Sequence, residues 1–292
     1  MTIDVGSGTQ PQGSIAPTSW RDLPVDHSLH LKTLIIIAIG IVYWTFMYYV
    51  GCYHHPIPKY FKSKMSVQDH FVWRFRVINS YHGATTCILA IIWYITQFTT
   101  ECSKKNSDLE LIMLSHTFGY LLLDWVFMWH KGFLDNGNLL HHFMGVGVFV
   151  FSAYLQHNFA FHAMQLLPGE FSNVAMHGRE IIKRMGLRYS KIYYLNDYTY
   201  YIEYLVCRIF WIPTIYYFIY SCQTANPAQL IFFPFHILMN WYYCSNIPPL
   251  MGQRYREIKK IQKIGMKLEW FVPLDSEELK KNGIVSYERY HT

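Results

Sequence analysis

Two histidines, His141 and His142, open an apolar run, and Asp124 lies inside the run before it. A carboxylate that reached one ring would fix its tautomer and raise its basicity, giving the general base that acyl transfer requires. Adjacent helix residues point about 100° apart. One imidazole would therefore face inward, and the other a neighbouring helix or the interface. The same pair could instead cap the helix start and bind water or lipid phosphate, and spacing leaves both readings open. Further along, Arg208 stays protonated under all ordinary conditions, and Glu170 is the carboxylate nearest its expected depth. A Glu170–Arg208 ion pair is the simplest assignment, either tying two helices together or forming a cavity wall. Pro168 and Gly169 break helix geometry just before Glu170. Inside a bilayer such a break is tolerated where it is buried in protein or lines a cavity.

Other chemistries lack their residues. A di-iron site of the membrane desaturase kind needs about eight histidines in spaced boxes. Here His157 and His162 form one Hx4H on the trans side, away from the other histidines, and His54-His55 stands alone beside prolines. There is no GxSxG elbow, phosphate-binding glycine loop or HExxH. The pattern calls for no metal and no cofactor.

What positions these residues is a chain of 292 residues, 52% hydrophobic, 18% aromatic and only 15% charged. A soluble domain carries about 25% charge, so the composition is that of a membrane protein. Runs of membrane-spanning length lie at 33–52, 80–99, 109–129, 200–221 and 228–248, and the stretch 142–177 reads as two short spans meeting near His157-Asn158. The expectation is an all-α membrane protein of about seven transmembrane helices. Ionisable groups within spans are expensive and functional by default. Here they are His82, His116, Asp124, His141, His142, Glu170, Glu203, Arg208 and His236, joined by Asn240. Most fall in the cytoplasmic half, which predicts a polar pocket open to that side.

The net charge of +6 is a topology signal. With seven spans, Lys59, Lys62, Lys64, Arg74, Arg76, Lys131, Arg179, Lys183, Arg184, Arg188, Lys191 and the tail from Arg254 to Arg289 share one side. Only Arg21, Lys32, Lys104 and Lys105 face the other. Positive residues mark the cytoplasm, so the N-terminus is lumenal and the C-terminus cytoplasmic. The flanking distribution also excludes nucleic acid as a partner. The first 30 residues hold Asp4, Asp22 and Asp26 and no apolar run, which is neither a secretory signal nor a presequence. In the tail, Ile258, Ile261, Ile264 and Leu268 recur at helical spacing among lysines. They predict an amphipathic helix, lying on the anionic leaflet or packed against the cytoplasmic loops. Most of the six cysteines read as small core residues. Cys102 and Cys222 share the lumenal side, where they form a disulfide or remain thiols.

The order Asn79-Ser80-Tyr81-His82, Asp124, His141-His142, Glu170-Phe171-Ser172-Asn173, Arg208 and Leu238-Met239-Asn240-Trp241-Tyr242 resembles the TLC-domain family, over about residues 70 to 250. The resemblance implies six helices in a barrel around a lipid-accessible cavity, with the first span outside it. It divides the chain into a polar tail (1–30), a first helix with its basic loop (31–69), the TLC domain (70–250) and a basic tail (251–292). In the ceramide-synthase branch the paired histidines and two following acidic residues serve N-acyl transfer from acyl-CoA to a sphingoid base. His141 and His142 match. The acidic pair does not, since Leu167-Pro168-Gly169-Glu170-Phe171-Ser172 looks like the non-synthase branch.

Three functions follow as expectations. The first is binding or handling of a membrane lipid in a cavity lined by His82, Asp124, His141, His142, Glu170, Ser172, Arg208 and Asn240. The second is an accessory subunit partnered with other membrane proteins. The third is an acyl-CoA-dependent N-acyltransferase in which His141, His142 and Asp124 are catalytic. The endoplasmic reticulum is the expected compartment, with the mitochondrial inner membrane as the alternative.

Overall fold

The computed structural model describes residues 18–23, 27–63, 65–101 and 103–284, so Asp4, Asp26, Lys64, Cys102 and Arg289 lie outside the described residues. Among the described residues the fold is all-helical, with one isolated bridge between Lys105 and His157. The long helices are α1 (His27–His54), α3 (Val67–Thr96), α4 (Asp108–Lys131), α5 (Asn136–Leu155), α6 (Phe159–Arg184) and α9 (Pro227–Ser245). A continuous rod joins α7 (Lys191–Leu205) through a π-helical turn at Val206–Trp211 to α8 (Ile212–Tyr220). Short α2 (Lys59–Lys62) precedes α3, and α10 (Ile247–Lys263) and α11 (Ser276–Lys281) close the described chain.

Four of these are long and apolar enough to cross a membrane: His30–His54, Asp108–Lys131, Asn136–Leu155 and Lys191–Tyr220. Leu31, Leu34, Ile35, Ile39, Val42 and Phe46 of α1 are all exposed, an apolar face of the kind that lies against lipid or another protein. The remaining long helices, α3, α6 and α9, also bury polar residues, among them Asn79, His82, Ser172, His177, Gln229 and Asn240.

Helix limits follow local chemistry. Ser66 and Ser107 form capping boxes with Asp69 and Glu110 at the starts of α3 and α4. The stretch 142–177 falls on two helices, α5 and α6. The chain turns between α5 and α6 where Gln156 and Asn158 both adopt positive φ. Arg74 and Arg76 sit within α3 rather than in a loop.

At α6 the structure departs from the expected break. The helix runs unbroken through Pro168. Proline offers no N–H to the carbonyl one turn back, which here belongs to Met164. That carbonyl accepts from the Tyr94 hydroxyl at 3.0 Å, so the lost bond is replaced from α3 and the helix needs no interruption. In the α7–α8 rod, by contrast, regular winding gives way to the π turn just ahead of Pro213.

Helix α1 packs against α4 through small residues. A Cβ on Gly119 would lie 2.8 Å from the Gly40 backbone, and one on Gly40 2.5 Å from the Ser115 carbonyl oxygen. The Ser115-x-x-x-Gly119 spacing thus permits backbone contact between two apolar helices. Trp44 and Tyr48 of α1 enter the same buried cluster as Phe75, Met113, Leu114 and Phe159. The first helix therefore contributes directly to the core.

Helix α10 packs inward against α7. Arg254, with no exposed surface, and Glu257 meet Asp197 and Arg188 there, and Ile261 packs with Tyr189 and Leu279. Leu268 lies beyond the end of the helix, after Gly265 turns the chain with φ +77°. The inner face of this amphipathic segment thus packs on α7 and the residues just before it.

Candidate functional site

Asp135 caps α5 by accepting from the Asn138 amide at 2.8 Å, which sets His141 and His142 in the second turn. Their rings stand 72° apart, and they part company. His142 is buried and places Nε2 3.2 Å from Asp124 Oδ2, while the other Asp124 oxygen accepts from Tyr48 at 2.6 Å. Tyr48 also lies 3.2 Å from Asn79 Oδ1. The carboxylate thus holds the histidine that faces α4 and α1, not the one on the cavity. The ring nitrogen of His142 that Asp124 does not reach, Nδ1, is buried without a hydrogen bond.

His141 instead lines a cavity of about 100 Å³ between α4, α5, α6, the π turn and α9. Its polar wall is His141, His162, Gln165, Glu170, Asn173, Arg208 and His236, together with Thr117. The rest is apolar, including Leu121, Met144, Val148, Phe149 and Phe232. His162, expected to stand apart on the lumenal side, therefore joins the other histidines. Its Nε2 lies 2.7 Å from the Gln229 amide.

The expected Glu170–Arg208 ion pair is not formed. Arg208 donates from Nε to Ser172 Oγ at 3.1 Å, from Nη1 to Asn240 Oδ1 at 3.0 Å, and from Nη2 to the Gly169 carbonyl at 2.7 Å and Asn173 Oδ1 at 3.0 Å. Its guanidinium also lies over the Tyr204 ring, 5.0 Å from the centroid. Glu170 turns toward α3, where Oε2 is 3.3 Å from His82 Nδ1 and 3.3 Å from the Asn173 amide that donates to it. His82 in turn stacks on Tyr120 with centroids 3.6 Å apart. The reason is geometric. Glu170 and Ser172 lie about 200° apart around α6, so the face that meets Arg208 is the face Glu170 leaves.

Of the ionisable residues singled out in the sequence, His141, His162, Glu170, Arg208 and His236 line the cavity directly. Ser172 and Asn240 hold Arg208, His82 holds Glu170, and Asp124 with His142 forms a separate buried pair. His116 stacks on His82, with centroids 5.2 Å apart, and meets the Trp44 ring at a tilt. Tyr48, Thr117, Tyr120, Gln165 and Asn173 carry comparable weight. Only Asn173 stood in a motif; the others are neutral residues in apolar runs, without a charge to mark them. Among the described residues no group of three or more His, Cys, Asp and Glu is placed to hold a metal ion.

A second polar cluster lies at the other end of α7. Asp197 accepts from Arg254 Nε at 2.8 Å, from Tyr201 at 2.9 Å and from Arg179. Glu257 meets Arg254 and Arg188 at 3.1 and 3.2 Å. Cys222, after α8, is disulfide-bonded, and Cys52, Cys87, Cys207 and Cys244 are free.

Known proteins add nothing to this geometry: no protein-family model matches the chain, and no curated protein matches it.

Proposed function

We propose that the chain is a multi-pass membrane protein of the TLC-domain kind that binds a lipid within the helix bundle, in lipid handling, sensing or trafficking. The observation that carries this reading is the half-polar, half-apolar cavity beside Arg208. A buried guanidinium in an apolar bundle is costly unless it serves structure or a ligand, and here it borders open space. The proposed arrangement has seven spans, with α3, α6 and α9 crossing beside the four apolar helices, the N-terminus lumenal and the C-terminus cytoplasmic. The disulfide at Cys222 supports a lumenal, oxidising environment for that end, as in the endoplasmic reticulum. Native mass spectrometry of the gently extracted protein tests the reading. Co-purified lipid lost on Arg208→Gln supports it; a lipid-free chain overturns it, and a stoichiometric protein complex without lipid would favour the accessory-subunit role.

One observation favours a second reading, acyl-CoA-dependent N-acyl transfer: the 3.2 Å contact of Asp124 with His142, which fixes an imidazole with its other nitrogen free. Membranes carrying His142→Ala and His141→Ala decide it. Acylation of a sphingoid base at the wild-type rate would remove this reading.

A further inference from the structure

The cavity wall is uneven in its hydrogen bonding. Arg208 is 6% exposed, and every group that accepts from it is neutral. Glu170, the carboxylate on the same wall, already faces His82 and the Asn173 amide. Thr117 is 3% exposed, lines the cavity, and its hydroxyl has no partner. The Gln165 amide donates to His236 Nδ1 at 2.9 Å, which leaves the proton of the neutral ring on Nε2. His141 meets His142 and His236 ring to ring, with centroids 5.5 and 6.0 Å away. Cation and donors converge on one space, and Glu170, the carboxylate on its wall, turns its Oε2 to His82 and Asn173 rather than to Arg208.

We infer that this cavity takes the acidic head of a single-chain amphiphile, a carboxylate or a monoester phosphate. Arg208 supplies the counter-charge, and Thr117, His141 and His236 donate to the head. The inference rests on the lipid-binding reading and deepens it by naming the ligand's chemistry. An anion beside a buried guanidinium is favoured because each lowers the other's desolvation cost, and charge-assisted bonds are about twice as strong as neutral ones. Size selects the single chain. Pockets that enclose a whole small ligand measure about 300–1,000 Å³, whereas this one is about 100 Å³, room for a head group and the first carbons. The chain then lies along Leu121, Met144, Val148 and Phe232.

The test incubates the full-length protein in mild detergent with oleic acid, oleoyl lysophosphatidic acid, oleyl alcohol or oleylamine, and reads retention by native mass spectrometry. Acidic amphiphiles are expected to be retained at least about tenfold better than the alcohol or amine, the value of one charge-assisted hydrogen bond. The two acidic arms separate carboxylate from phosphate. Thr117→Val and His141→Phe, which spare the Arg208 network, should each lower retention of the acid several-fold while the thermal midpoint holds; Arg208→Gln should abolish it. Equal retention of alcohol or amine overturns the acidic head while leaving lipid binding intact. Retention of the acid unchanged in all three variants overturns the site. No retention of any amphiphile overturns both this inference and the reading beneath it.

Discussion

Arg208 and Glu170 share a cavity wall without touching, because Asn173 stands between them. Its Oδ1 accepts from Arg208 at 3.0 Å, and its Nδ2 donates to Glu170 at 3.3 Å. A carboxamide has an acceptor and a donor on one planar head, so it couples a cation to an anion while holding them apart. This frees Glu170 to meet His82 and lets Arg208 gather neutral acceptors from α6 and α9.

Asn173→Leu keeps the volume and removes both bonds. It should lower stability by about 1–3 kcal/mol, the cost of leaving buried charged groups short of partners. Chemical denaturation in detergent micelles measures this. A variant within about 0.5 kcal/mol of wild type would mean that Asn173 is a bystander.

The continuity of α6 through Pro168 makes a sharper claim about two residues. Tyr94 donates to the Met164 carbonyl that Pro168 leaves free. Tyr94→Phe should therefore cost about 1 kcal/mol in the wild-type background. In a Pro168→Ala background the backbone can close its own bond to Met164, and the same change should cost close to nothing. A double-mutant cycle should return a coupling of about 1 kcal/mol; additive effects would sink the account.

These cases show what can be read from residues alone. Apolar runs located α1, α4, α9 and the second half of the α7–α8 rod because each is long and largely apolar. The α5–α6 junction was legible because Gln156 and Asn158 sit in the one polar gap of an apolar stretch. The start of α3 was not: its first third alternates Trp73 and Phe75 with Arg74 and Arg76, and a hydropathy window sees only the part inside the membrane. Likewise His141-His142 and Arg208 announce a site by being charged or ionisable in apolar surroundings. Their partners are set by rotation about helix axes. Depth alone made Glu170 the expected partner, whereas Gly169, Ser172, Asn173 and Asn240 accept from Arg208. The Asp197–Arg254 pair joins residues 57 positions apart, each in an ordinary charged stretch, and nothing local marks it.

That pair yields a prediction about the tail. Arg254 and Asp197 have no exposed side-chain surface, and breaking a buried pair by removing one partner costs about 3–5 kcal/mol. Arg254→Met should release α10 from α7 and speed tryptic cleavage at Arg256 and Lys259. Lys280→Met removes an exposed pair with Glu277 and should change neither stability nor cleavage at those sites, since such pairs contribute little. Equal protease resistance of Arg254→Met and wild type would show that α10 is held by other contacts.

The start of α3 and the end of α6 share a pH-dependent tie. Partial burial pushes the Asp69 carboxyl up, but hydrogen bonds from Ser66 and from Arg184 outweigh it and hold the group below its ordinary value of 3.8. A carboxyl whose pKa is lower folded than unfolded binds fewer protons in the folded state. Its stabilisation is present above the unfolded value and fades as pH falls below about 4 toward the depressed folded value. Asp69 is partly exposed to solvent, so screening keeps the effect small. Wild type should therefore lose thermal midpoint between about pH 4 and pH 2 more steeply than Asp69→Asn, with the two curves running parallel from pH 5 to 7. Identical slopes below pH 4 would show that the Asp69–Arg184 contact adds nothing to the folded state.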